Sequence, residues 1–213
     1  MRAVATSALF EAVREAELDP ATFARCVHTL LGNERDPDTH GWLLEILGVC
    51  IARYVDATGR DELRANATTR LLQQMNDEPD SGRELQTFRF LARTSEPTPP
   101  VAALCRAVIA GDQPLPAGLS PGKQDCFLAA ATLLAARTDD GERLLDGLRQ
   151  RFAKEDVGKE TFLARAAIPA AANKATYWEQ YLQLEAPPEQ WTQDSLAWFH
   201  WPGQEALTLP FLR

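Results

Sequence analysis

Apolar positions recur at helical spacing from one end of the chain to the other. Phe23, Val27, Leu30 and Leu31 form the first clear stripe. Asp19-Pro20 before it is an N-terminal signal: an aspartate to cap the exposed N–H groups, then a proline whose missing N–H costs nothing in a first turn. From Trp42 through Leu43, Leu44, Ile46, Leu47, Cys50, Ile51 and Tyr54 the sequence is apolar nearly all round. That predicts a central, buried helix, with Gly59 closing the unit. Leu63, Ala67, Leu71 and Met75 step along an amphipathic helix that leaves Arg60, Asp61 and Arg70 for water. Leu85, Phe88 and Leu91 predict a helix ending before Pro97, and Val101, Leu104, Cys105 and Val108 another that stops at Gly111.

Between Asp112 and Gly122 the pattern breaks, because Pro114, Pro116, Gly118, Pro121 and Gly122 crowd one turn-rich stretch. Pro121 is expected to start the next helix, whose stripe is Phe127, Ala130, Leu133 and Leu134. After the turn Asp139-Asp140-Gly141 come Leu144, Leu145, Leu148 and Phe152, then Phe162 with Ala166 up to a break at Pro169. Trp178, Tyr181 and Leu182 follow, and Pro187-Pro188 opens a last turn before Trp191, Leu196, Phe199 and Trp201. No segment alternates as a strand would. About twelve helices of ~10–18 residues, joined by short polar turns, account for the chain. Short loops force consecutive helices antiparallel, so the fold class expected is all-α, made of stacked antiparallel helical hairpins over residues 1–213 as a single helical-repeat domain. A hairpin every roughly 30–40 residues suits a HEAT-like α-solenoid or superhelix, and a compact irregular bundle is the other architecture open to it.

Composition narrows the function classes. Hydrophobic residues make up 45% of the chain and charged residues 24%, which is a globular balance. Acids outnumber bases 30 to 22 and no basic run occurs, so nucleic acid is not an expected partner. No stretch approaches the ~18 uncharged apolar residues of a membrane span. The first ten residues are weakly apolar and are followed at once by Glu11, Arg14 and Glu15, unlike a signal peptide. Cys26, Cys50, Cys105 and Cys126 form no C-x-x-C pair and are expected as buried free thiols. The expected location is cytoplasmic, where the sequon Asn66-Ala67-Thr68 carries no meaning.

Each pattern in the chain that could carry chemistry has a structural explanation. Gly118-Leu119-Ser120-Pro121-Gly122 matches G-x-S-x-G, but a nucleophile elbow needs a strand before the serine, and Gln113 to Ala117 with two prolines cannot form a buried one. The same stretch, through Lys123 and Gln124, misses the phosphate-binding loop in both its glycine spacing and its following hydroxyl. His28, His40 and His200 sit in no H-E-x-x-H, the arrangement that brings two imidazoles to one helical face beside a carboxylate. Cys26 and His28, at i and i+2, point to different faces, and His40 is expected to cap its helix or lie exposed. Asp36 to Asp38, Asp77 to Asp80 and Asp139-Asp140 fall in turns, where solvated helix caps are expected. Trp191, Trp198, Phe199 and Trp201 are read as docking the last helices on the body rather than as a ligand platform. No catalytic, cofactor-binding or metal-ligating residue is therefore assigned.

The order of segments resembles the C-terminal helical domain of bacterial aminopeptidase N, of the gluzincin zinc aminopeptidases, from about Ala8 to Leu212. Val13-Arg14-Glu15-Ala16-Glu17-Leu18, Gly111-Asp112 and Pro116-Ala117-Gly118-Leu119 carry part of it. Ala172-Asn173-Lys174-Ala175 with Trp178-Glu179, and Phe199 with Pro202-Gly203-Gln204-Glu205, Leu207, Pro210 and Phe211, carry most of it. The family's closing motif usually ends Pro-Tyr, where this chain has Pro210-Phe211. These are packing and turn motifs. The resemblance implies a HEAT-like bowl covering an active site and limiting peptide access. It implies an upstream catalytic domain of the same polypeptide that carries G-x-M-E-N and H-E-x-x-H with a distant Glu. Zinc is expected there and no cofactor in this chain, and the partners implied are that domain and peptide substrates, with no nucleic acid or membrane. It also implies that the domain's first helices precede Met1. The alternative, from a different class, is an independent α-solenoid adaptor that binds a protein on its concave face.

Overall fold

The computed structural model describes residues 2–77, 81–94, 96–183 and 187–212. Among them the protein is all-helical, with twelve α-helices, a closing 3₁₀ turn and no strand. In order these are α1 (Arg2–Arg14), α2 (Pro20–Leu31), α3 (Pro37–Arg53), α4 (Ala57–Asp77), α5 (Ser81–Ala92) and α6 (Pro99–Ala110). They continue with α7 (Lys123–Ala135), α8 (Gly141–Arg151), α9 (Gly158–Ala166), α10 (Ala171–Leu182), α11 (Glu189–Phe199) and α12 (Glu205–Thr208), before the 3₁₀ turn Leu209–Leu212. No helix among the described residues is long and apolar enough to cross a membrane. The chain divides into two compact units, Met1–Phe90 with Pro116–Ser120 and Leu91–Leu115 with Pro121–Arg213.

In the first unit, α2 and α3 start as their sequences specify. Asp19 accepts the Thr22 N–H at 2.8 Å with Pro20 opening the helix, and Asp36 accepts the Thr39 N–H at 2.8 Å. Leu43, Leu44, Ile46, Leu47, Cys50 and Ile51 of α3 are all buried, and α2 packs against them with Phe23, Val27 and Leu31. Phe10 of α1 meets Phe23 at 5.5 Å and Tyr54 at 5.8 Å between ring centroids. Ala67, Leu71 and Met75 form the buried stripe of α4. Gly59 does not close a unit: it lies in the first turn of α4, where its N–H donates to Asp56 Oδ1 at 2.9 Å. Arg60 is only half exposed, since its guanidinium reaches back to the Val55 carbonyl at 3.0 Å. Of the Asp77 to Asp80 stretch, Asp77 ends α4 and residues 78–80 lie outside the described residues.

Helix α5 keeps Phe88 and Leu91 of its predicted stripe buried but is rotated enough to leave Leu85 half-exposed. Its buried side is Arg83, Glu84, Thr87, Phe88 and Leu91, while Leu85 is half-buried. Polar partners hold that rotation, as His40 Nε2 lies 3.0 Å from Thr87 Oγ1 and Arg83 donates to the Glu34 carbonyl at 3.0 Å. A buried polar group so bonded costs little, so a helix face with ionisable residues can turn inward.

The second unit is organised round α7, in which every residue from Asp125 to Ala135 is buried. Helices α6, α8 and α9 all pack on it. Ala129, Ala130 and Ala131 have no exposed surface at all, so neighbouring helices meet the α7 backbone closely. The helix begins at Lys123 rather than Pro121: Gly122 is its N-cap residue and donates its N–H to the Asp125 carboxylate at 2.9 Å. Gly111 ends α6 with φ 72°, the left-handed cap that favours glycine. A Cβ there would meet only the far end of the Arg151 side chain, 2.7 Å from Nη1, which can move aside, so the left-handed backbone is what calls for glycine.

Asp140, expected to cap α8, makes no cap hydrogen bond. Its carboxylate instead accepts a two-pronged contact from Arg106, 2.7 Å from Nε and 3.0 Å from Nη2. The Arg106 hydrogen bonds lower the Asp140 pKa to about 2. A depressed carboxylate contributes stability that is present above its unfolded pKa, near 4, and is lost as pH falls through about 2. The Arg106 side chain is 41% exposed, so screening reduces the contribution to about 1 kcal/mol. Asp140→Asn is expected to lose that amount in urea unfolding at pH 7 and almost nothing at pH 2.

Candidate functional site

Three of the residues that carried the sequence resemblance, Asn173, Lys174 and Gln204, meet at the C-terminal end of α9. A helix end leaves its last carbonyls without backbone partners. Pro169 has no N–H and clashes with a continuing helix, so backbone turns reach only the Arg165 carbonyl, from Ile168 N–H at 3.1 Å, and the Ile168 carbonyl, from Ala170 N–H at 3.0 Å. Side chains from three other places supply the other donors. Asn173, in the first turn of α10, donates to the Arg165 carbonyl at 3.0 Å and approaches that of Ile168 at 3.5 Å. Lys174 Nζ donates to the Ala166 carbonyl at 2.6 Å, and Gln204 Nε2 to that of Ala167 at 2.8 Å. Arg137, following α7, donates to the Pro169 carbonyl. Five consecutive carbonyls, 165 to 169, thus accept from side chains.

Lys174 links this end to a second one. It is fully buried, and Nζ also donates to the Phe199 carbonyl at the end of α11, at 2.7 Å. The ammonium lies 5.2 Å from the centre of the Phe199 ring. Burial lowers its pKa to about 8, while two helix C-termini and an aromatic face act in the opposite sense by attracting a cation. The group is therefore still charged at neutral pH. Neighbouring His200 has its pKa lowered, by burial first and by the Lys174 charge second.

Aromatic residues enclose the amine. Phe199 has no exposed surface and meets Tyr181 at 5.5 Å, Phe211 at 5.9 Å and Trp178 at 6.4 Å. Tyr177 donates its hydroxyl to the Phe162 carbonyl at 2.6 Å, and Tyr181 pairs with Ser195 Oγ at 2.7 Å. Burial pushes the Tyr181 phenol up to about 12 and the Tyr177 phenol higher than usual too, so neither is a base near neutrality. The arrangement can hold helix ends together. Its cations, Lys174 and Arg137, donate to backbone carbonyls, and its phenols are fixed as neutral groups.

Other residues singled out in the sequence lie apart from this cluster. Ser120 is exposed in a loop whose turn is closed by Leu119 N–H to Pro116 O at 3.0 Å, with Gly118 at φ 86°. His40 neither caps a helix nor lies exposed, since it is buried against Thr87. With Arg83, Glu84, Thr87 and Gln74 it lines a cavity of about 120 Å³. His28 is half-buried, and burial and then the Arg70 charge lower its pKa. Cys50, Cys105 and Cys126 are buried free thiols, and burial raises the first two to about 11 and about 12. Cys26 departs from that expectation because it sits on the outward face of α2 and is exposed.

Compared with known proteins, the chain matches no family model and no curated protein sequence. Sequence reasoning missed Arg137 and Ser195 as members of the cluster. Arg137 takes φ 53° just after α7, a position where glycine is the usual signal, and nothing in its neighbours marks it out. Ser195 stands between charged and apolar residues on α11, and only the fold brings it to Tyr181.

Proposed function

We propose that the chain is a non-catalytic part of the C-terminal helical domain of a zinc-dependent aminopeptidase N, a stack of helical hairpins that encloses the substrate chamber and limits peptide access. The observation that carries this reading is the meeting of Asn173, Lys174 and Gln204 on successive carbonyls at the end of α9. The motifs near residues 173 and 204 were separate fragments of resemblance in the sequence. Their convergence supports treating them as one packing unit, which is what a domain-level likeness requires. Four unpaired cysteines suit a reducing cytoplasmic setting.

Zinc, on this reading, belongs to the upstream catalytic domain. Among the described residues no three His, Cys, Asp or Glu side chains gather as metal ligands would. The test is the coding sequence before Met1. A reading frame that continues upstream into H-E-x-x-H is the expected result. A stop codon and ribosome site directly before Met1 would overturn the reading in favour of a free-standing adaptor. In parallel, the purified chain supplied with zinc is expected not to hydrolyse aminoacyl anilides. Turnover that survives removal of contaminating peptidases would sink the non-catalytic assignment.

A further inference from the structure

Within the second unit, α7, α9 and α11 surround a half-open cavity of about 320 Å³, a size that ligand pockets commonly have. Its floor is apolar, formed by Phe127, Leu163, Ala197 and Trp198. Phe127 is 1% exposed, so the floor is anchored in the core rather than lying loose on the surface. Two carboxylates reach the rim, and both are engaged. Glu160 lies 3.2 Å from Lys123, while Asp194 pairs with Lys159 and accepts from Gln190 at 2.8 Å. Arg93 also stands on the rim, and its guanidinium has no hydrogen bond or ion pair among the described residues. The uncommitted charge of the rim is thus a cation whose planar fork matches a carboxylate. Gln124, in the first turn of α7, and Lys159, in the first turn of α9, bring the positive ends of two helices to the same side.

We propose that this cavity binds a small carboxylate with an aromatic or branched apolar body, the body lying on Leu163, Ala197 and Trp198 above the buried Phe127 and the carboxylate on Arg93. An apolar floor alone would accept any greasy molecule, whereas an unpaired guanidinium at its edge selects the acid over its neutral analogue. The site does not depend on the aminopeptidase reading.

The test is calorimetric titration of the purified chain with three probes: 3-phenylpropionate, 3-phenylpropanamide and propionate. Saturable binding of the first is expected, with the amide at least about tenfold weaker, the value of one good charge-assisted contact. Propionate, lacking the apolar body, is expected not to saturate. Arg93→Gln is expected to bring the acid down to the affinity of the amide with no change in melting temperature, because Arg93 is exposed. Ala197→Trp, which fills the cavity from an exposed position, is expected to abolish binding of both phenyl probes. Equal affinity for acid and amide, unchanged binding by Arg93→Gln, or no saturable binding of 3-phenylpropionate would each overturn the proposal.

Discussion

Replacing Lys174 by methionine is expected to destabilise the second unit by about 2–3 kcal/mol at pH 7, because two buried carbonyls lose the donor that satisfies them. The aliphatic stem is matched by methionine, so the change removes the amine and little volume. Relief from a buried charge offsets part of the loss, which is why the cost stays below that of breaking a paired buried ion. The pH dependence isolates the lysine. Its folded pKa is about 8 against an ordinary value near 10.4, so between these the unfolded chain holds the extra proton. Stability attributable to Lys174 therefore rises across that interval, by up to about 3 kcal/mol. Buried Cys50, Cys105 and Tyr181 work oppositely, since their raised folded pKa values mean that the unfolded chain gives up protons first and stability falls. The quantity to measure is thus the difference between wild type and Lys174→Met in chemical unfolding at pH 7 and pH 10. The gap is expected to widen at pH 10. A constant gap would mean that the amine is not sealed from water in the folded protein.

How much of this was legible depends on which physical signal each feature leaves in a linear chain. Helix identity is local, and Asp19-Pro20, Asp36 and Gly111 marked boundaries that the structure keeps, because caps act within a few residues. Errors arose where a tertiary partner outcompeted the local rule. Asp140 looked like a cap and is instead held by Arg106, 34 residues away in sequence. The buried face of α5 was predicted from its leucines, yet His40 from α3 holds Thr87 inward and Leu85 turns partly out. Lys174 is the clearest case. A lysine between alanine and asparagine reads as a solvated charge, and its burial follows only when the ends of α9 and α11 are brought together. The resemblance had singled it out by position, without any indication of what it does.

Phe199→Ala is expected to have the largest effect of any single change near this cluster, about 3–5 kcal/mol, since the ring has no exposed surface and meets Trp178, Tyr181 and Phe211. The substitution leaves the Phe199 carbonyl in place, so the Lys174 hydrogen bond can still form and the loss reports packing. Phe199→Leu, which keeps most of the volume, is expected to cost about 1–2 kcal/mol. Amide exchange should quicken first in α10, α11 and α12, whose rings lose their common neighbour, before it does so in the more deeply packed α7. These outcomes separate two meanings of the terminal aromatic cluster. Rings that serve as a ligand platform must face solvent, and their removal weakens binding more than folding. Rings that anchor the final helices are enclosed, as Phe199 and Trp201 are, and their removal loosens the helices themselves. A Phe199→Ala protein with wild-type unfolding midpoint would therefore remove the anchoring role.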